Sequence, residues 1–202
     1  MKGGLALGLL LLALPGAGPL PSRFDVVGVA GDSALNVRAE PNASAPVVAT
    51  LAPDARGVEV VALDASGRWG RVNAGEGSGW SAIRYLQEQP GVWPAGALPA
   101  GMRCFGTEPF WSLVPEGTTA RLETPDGSES FALTTLDRGH PADLNRALLL
   151  KGNGGESTVT ITPQACSDGM SDRLFGLEAL MVRNGPNGSQ LLSGCCSVAA
   201  QR

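Results

Sequence analysis

Glu108, Asp168 and Asp172 are the carboxylates whose types could serve acid–base chemistry, because glycan cleavage needs two such groups flanking the scissile bond. That chemistry requires a fixed separation, which linear spacing does not set. Asp168 stands directly before Gly169 in a polar loop, where aspartate commonly closes its own turn through its side chain. Ser167 and Ser171 flank it, but the single histidine is His140, in a Gly-His-Pro loop. The nucleophile, base and orienting acid of a triad are therefore not assembled. No phosphate loop or dinucleotide fingerprint is present, and Gly152, Gly154 and Gly155 mark a turn with no helix after it. The expectation is a non-enzyme, with no catalytic residues and no cofactor.

The four cysteines, Cys104, Cys166, Cys195 and Cys196, all fall in the second half of the chain. Their meaning depends on residues 1–22. Lys2, an apolar run over 5–14 and the Pro-Gly-Ala-Gly break at 15–18 form the pattern of a secretory signal peptide, and the run is short for a bilayer span. No cysteine near the break offers a lipid attachment point. In an exported chain an even set of cysteines reads as disulfides. With one histidine and no Cys-x-x-Cys pair, no metal site is expected. Four cysteines allow three pairings. Joining the adjacent Cys195 and Cys196 demands a strained ring, and both other sets tie the last strand into its own domain. Cys104–Cys196 with Cys166–Cys195 is the expected set.

The elements that carry these residues are strands. Twenty-eight Gly and 15 Pro in 202 residues suit many short strands and tight turns, not helices. A formal charge of −4, spread singly with no basic run, argues against a nucleic-acid partner. Residues 35–38, 47–51, 58–63, 69–72 and 79–83 read as strands, separated by Pro41-Asn42, Pro53-Asp54, Ser66-Gly67 and a Gly-rich turn at 75–79. Successive short strands without a helical period suggest a small closed barrel.

Leu35-Asn36-Val37-Arg38, Pro41, Val47-Val48, Leu51, Val58, Val60, Trp69, Val72, Gly79-Trp80 and Tyr85-Leu86 follow in an order that resembles the bacterial SH3-like domain over residues 24–87. The resemblance implies recognition of cell-wall peptide or another envelope protein. Val37, Val48, Leu51, Val58, Val60 and Val72 are expected inside. Trp80 is expected to bury its ring beside Gly79, which lets backbones approach closely. Trp69 and Tyr85 are expected to line a ligand groove, with Arg38, Glu40 and Asn42 forming the other wall.

Residues 88–103 are rich in Pro and Gly and read as a linker with little to form a core, except Trp93, whose commoner role is to pack against a neighbour. Strand candidates recur at 112–114, 120–123, 130–133, 147–150, 158–161 and 179–182, so residues 104–199 are expected to form a disulfide-linked antiparallel barrel or sandwich. Gly106-Thr107-Glu108-Pro109-Phe110-Trp111, the stretch from Cys166 to Asp172, and Gly194-Cys195 resemble a domain of exported bacterial proteins that lends no established activity. Phe110 and Trp111 are expected in the core. Asp168, Met170 and Asp172 sit on a loop that serves either as a partner-binding tip or as a pinned connection. The whole reads as an all-β periplasmic or secreted binding protein with no membrane span in its mature form. Inhibition of a lysozyme-type hydrolase is the alternative, and wall hydrolysis the least supported reading.

Overall fold

The structure, a computed structural model, describes residues 18–140, 142–153, 155–185 and 188–199. Most of the expected signal segment, 1–17, lies outside the described residues. Among these residues the chain is all-β, and no helix is long and apolar enough to cross a membrane.

The first unit comprises β1 (Ser22–Val26), β2 (Leu35–Arg38), β3 (Val47–Leu51), β4 (Val58–Leu63), β5 (Trp69–Ala74), β6 (Gly77–Ala82) and β7 (Leu86–Glu88). They form one antiparallel sheet in the order β3-β2-β6-β5-β4-β1-β7. Its edges are not bonded to each other, yet Leu51 of β3 and Leu86 of β7 share a core with Phe24, Val37, Val58, Val60 and Val72. The sheet therefore curls around a single apolar centre.

Alternation corrects two expectations here. Val48 is 55% exposed, because β3 turns Leu51 inward and leaves the even positions outside. On β6 the buried positions are Gly79 and Ser81, so the intervening Trp80 points outward. Its ring is half-buried, with the Arg71 guanidinium 5.6 Å from its centroid. The close approach at Gly79 does exist: a Cβ there would stand 2.7 Å from both Arg38 O and Val37 Cγ1.

The folded body also begins earlier than residue 24. Ser22 is buried and pairs with Val60, Leu20 packs against the core, and the Gly18 N–H donates to Glu88 Oε2 at 2.9 Å. Residues 18–22 thus pack with the first unit.

The second unit comprises β8 (Arg103–Thr107), β9 (Phe110–Glu116), β10 (Thr119–Thr124), β11 (Gly127–Leu136), β12 (Arg146–Gly152), β13 (Gly155–Cys166), β14 (Phe175–Gly185) and β15 (Gly188–Ser197). These eight strands close into an antiparallel barrel in the order β10-β11-β12-β13-β14-β15-β8-β9. Inward positions such as Leu113, Leu122, Phe131, Leu148, Ile161, Leu177 and Met181 fill it. The period of two splits the Phe110-Trp111 pair: Trp111 is in the core, and Phe110 is 57% exposed. The expectation for Phe110 is therefore corrected.

Disulfides join Cys104 to Cys196 and Cys166 to Cys195, the expected set.

The glycines of the signature motifs make room for Trp111. Its indole N–H donates to Ser193 O at 3.2 Å. A Cβ on Gly106 would lie 2.2 Å from Trp111 Nε1, and one on Gly194 would lie 2.1 Å from Phe105 O. Both motifs therefore encode a packing knot at the point where β8, β9 and β15 meet. Gly194→Ala is expected to lower stability by about 1–3 kcal/mol or more, because the obstruction is backbone and cannot rotate away. Urea denaturation of the variant beside wild type measures it, and an unchanged midpoint would refute the packing account.

Residues 89–102 contain no strand, yet they are packed. Met102 is fully buried in the barrel core, and Trp93 and Leu98 rest against it. Trp93 donates its indole N–H to Pro21 O at 2.7 Å and lies under the Arg146 guanidinium at 5.4 Å. The segment acts as a strap across both units, which corrects the expectation of a stretch with little core.

The units meet along a polar seam. Asn73 exchanges two hydrogen bonds with the backbone of Leu174, its Nδ2 donating to the carbonyl at 2.8 Å and its Oδ1 accepting from the N–H at 3.0 Å. The Asp172 N–H donates to Glu76 O at 2.9 Å, and Arg173 pairs with Glu76 at 3.0 Å. Glu59 of β4, 4% exposed, accepts from Ser197 Oγ at 2.7 Å and from the Val198 N–H at 3.0 Å.

Candidate functional site

Trp69 opens β5 directly after a turn that its own backbone helps to close. Asp64 Oδ1 accepts from the Trp69 N–H at 2.8 Å, and Asp64 Oδ2 accepts from Ser66 Oγ at 2.6 Å. The Ser66 hydroxyl and these N–H groups hold the Asp64 carboxyl below its ordinary pKa. The turn therefore stays closed at neutral pH and fixes where the indole begins. Across the hairpin Trp69 faces Ala82, and its indole is half-buried. The chain then makes a 3-10 turn over Ile83–Tyr85, which swings Arg84 and Tyr85 back beside Trp69.

The result is an open groove of about 330 Å³, bounded by Trp69, Tyr85, Arg84 and Arg38 and by the loop from Gly28 to Asn36. Arg84 lies over the Tyr85 ring at 4.8 Å, an arrangement that keeps the guanidinium at the groove mouth. The Tyr85 carbonyl accepts from the Val27 N–H at 2.9 Å, tying the floor to the end of β1. Neither the strap nor Trp93 is among the residues that line the groove.

Arg38, Trp69 and Tyr85 thus come together as the sequence suggested. Glu40 and Asn42 do not join them. Asn42 Nδ2 donates to Glu40 Oε2 at 3.2 Å, and Asn42 Oδ1 accepts from the Ser44 N–H and Oγ at 3.1 and 2.9 Å. Both are occupied in shaping their own loop, whose contribution to the wall is Ala43. Arg38 also braces that loop, donating from one guanidinium nitrogen to Ala45 O at 2.7 Å. Sequence reasoning missed Arg84. Its adjacency to Tyr85 was the available signal, but a strand reading would have sent the two to opposite faces.

The carboxylates of the second unit are distributed differently. Asp168 Oδ1 accepts from the Met170 and Ser171 N–H groups at 3.0 and 2.9 Å, and Ser171 Oγ donates to Oδ2 at 2.9 Å. Partial burial raises its pKa, but these hydrogen bonds outweigh that effect and hold it below the ordinary value. Asp168 is a turn closer. Asp172 lies on the seam, bridged to Gly77 of the first unit. Glu108 is exposed on the β8–β9 turn. His140 is exposed, and its Nδ1 accepts from the Ala142 N–H at 3.3 Å. Met170, 68% exposed, projects from a loop fastened to that turn by Thr107 Oγ1 donating to Asp168 O at 2.9 Å. Among the described residues no cluster of histidine, cysteine or carboxylate side chains could hold a metal ion.

No protein-family model, curated protein or solved structure matches this chain.

Proposed function

We propose that this is an exported cell-envelope binding protein whose first unit, a bacterial SH3-like domain, takes a cell-wall peptide or an envelope-protein segment in the Trp69–Tyr85 groove. The observation that carries this reading is the groove itself: half-buried aromatic rings flanked by Arg38 and Arg84 and left uncovered by the other described residues. Aromatic faces suit the side chains and prolines of an extended peptide, and guanidinium groups suit its carboxylates. The expected signal peptide and the two disulfides support a periplasmic or secreted location.

Retention of the full mature chain on purified cell-wall sacculi tests the reading. Trp69→Ala is expected to weaken binding by about 2 kcal/mol, roughly thirtyfold, as for an aromatic anchor at the centre of a small contact. Equal retention of wild type, Trp69→Ala and an unrelated acidic protein would exclude the wall-binding version.

A second reading draws on the exposed Phe110 and Met170, which the Thr107–Asp168 hydrogen bond fastens to one end of the barrel. Such a tip suits insertion into the cleft of a lysozyme-type hydrolase. Asp168 would there shape the loop and not contact the enzyme. Hydrolase assays with Met170→Asp discriminate: lost inhibition supports this reading, and absence of inhibition by wild type removes it.

A further inference from the structure

The chain as a whole is acidic, with a formal net charge of −4, yet its inter-unit cleft gathers cations. This cleft follows the seam and encloses about 770 Å³, with Arg56, Arg103 and Arg173 in its wall. Ligand sites commonly fall in the range of about 300–1,000 Å³ and often at domain interfaces. Two of the three cations already have partners, Arg56 with Asp25 at 2.7 Å and Arg173 with Glu76 at 3.0 Å.

Arg103 differs. Among the described residues it enters no ion pair, and its guanidinium lies 5.0 Å above the Phe105 ring. Phe105 in turn meets Phe175 edge-on at 4.9 Å, so the platform under the guanidinium is fixed. A guanidinium held over an aromatic ring with no carboxylate partner keeps N–H groups available to grip an oxyanion. The carboxylates in the wall do not answer it. Asp168 is held by Ser171 and Met170, and Glu59 by Ser197 and Val198.

We propose that this cleft is a second ligand site, separate from the Trp69 groove, for a small ligand bearing two or more carboxylate or phosphate oxyanions, with Arg103 as its principal contact. The site exists only where the two units are joined, so its occupant touches both. Binding then stabilises the junction in proportion to ligand concentration over the dissociation constant.

Titration calorimetry on the full mature chain tests this with tri-glutamate and pyrophosphate as probes and tri-glutamine as the neutral control. At least one anionic probe is expected to bind more tightly than the control, and to weaken as salt is raised. Binding of tri-glutamate alone assigns a carboxylate ligand, and of pyrophosphate alone a phosphate ligand. Arg103→Gln and Arg103→Glu are expected to weaken the interaction about tenfold or more, without shifting the thermal midpoint of the unliganded protein. Trp69→Ala is expected to leave it unchanged, which separates failure here from failure of the groove. Amide shifts on titration are expected at Gly101, Arg103, Phe105 and Arg173. The proposal is overturned if neither anion outbinds tri-glutamine, if both Arg103 variants bind as wild type does, or if the shifts cluster at Trp69 instead.

Discussion

Replacing Cys104 and Cys196 together by alanine is expected to lower the free energy of unfolding by about 4–5 kcal/mol, and replacing Cys166 and Cys195 by about 3–4 kcal/mol. The ranking follows from the loops closed, 92 and 29 residues in sequence separation, since a longer loop gains more freedom when its bond is removed. The fold adds a second reason. The barrel closes where β15 meets β8, and that ladder consists of Cys195↔Phe105, Cys196↔Cys104 and Ser197↔Arg103. The β14–β15 ladder beside it runs from Leu177↔Cys196 to Gly185↔Gly188. The Cys104–Cys196 bond therefore staples the shortest seam of the barrel. Adjacent cysteines serve both bonds because neighbouring strand residues face opposite ways. Cys196 reaches its partner directly across the ladder, and Cys195 reaches the end of β13. Urea denaturation of the two double variants measures the difference. Losses below about 1 kcal/mol for the Cys104/Cys196 pair would contradict this account of the seam.

Raising the pH from 5 to 8 is expected to destabilise the protein through Glu59, and Glu59→Gln is expected to remove most of that loss. Glu59 projects from the first unit against the end of β15, with hydrogen bonds from Ser197 and Val198 and no ion pair among the described residues. Burial disfavours its charged form and raises its pKa from 4.5 to about 7, although the two hydrogen bonds pull the other way. Below 4.5 the group is protonated in folded and unfolded chains alike, and the protein keeps its full stability. As pH rises, the unfolded chain releases its proton first. Stability then falls until the folded carboxyl ionises near 7 and stays low above that point. The shift corresponds to about 3 kcal/mol. Glutamine mimics the protonated form, accepting from the Val198 N–H and donating to Ser197 Oγ. Unfolding free energies of wild type and Glu59→Gln at pH 5 and pH 8 isolate the effect, because other titrating groups cancel in the double difference. Parallel pH profiles would show that Glu59 is not held in its neutral form.

The strand pattern was legible because alternation and turn glycines are local properties. The strands Leu35–Arg38 and Val58–Leu63 fall where the residue types placed them. The cysteine pairing was legible in part: a bond between adjacent strand residues could be excluded, while the choice between the two remaining sets rests on the register that sets Cys196 opposite Cys104. Features that depend on what covers a face were not legible. Glu59 alternates with Val58 and Val60 as a solvent-facing charge would, and it is buried only because the second unit packs over that side of β4. Arg103 precedes Cys104 with no pattern of its own, and its lack of an ion pair among the described residues depends on the cleft. Val48 and Trp80 were assigned inward by residue type, but pleat and register decide which face a residue takes. The groove lay between these extremes. Trp69 and Tyr85 carried the signal, while the turn that adds Arg84 became visible only in the fold.

The most direct test is a two-dimensional amide and indole spectrum of the full mature chain titrated with a soluble cell-wall stem peptide. Saturable shifts at the Trp69 indole N–H and at Arg84 and Tyr85, absent in Trp69→Ala, are the expected result. A spectrum unchanged at those positions when the peptide is in large excess would contradict the assignment of the groove.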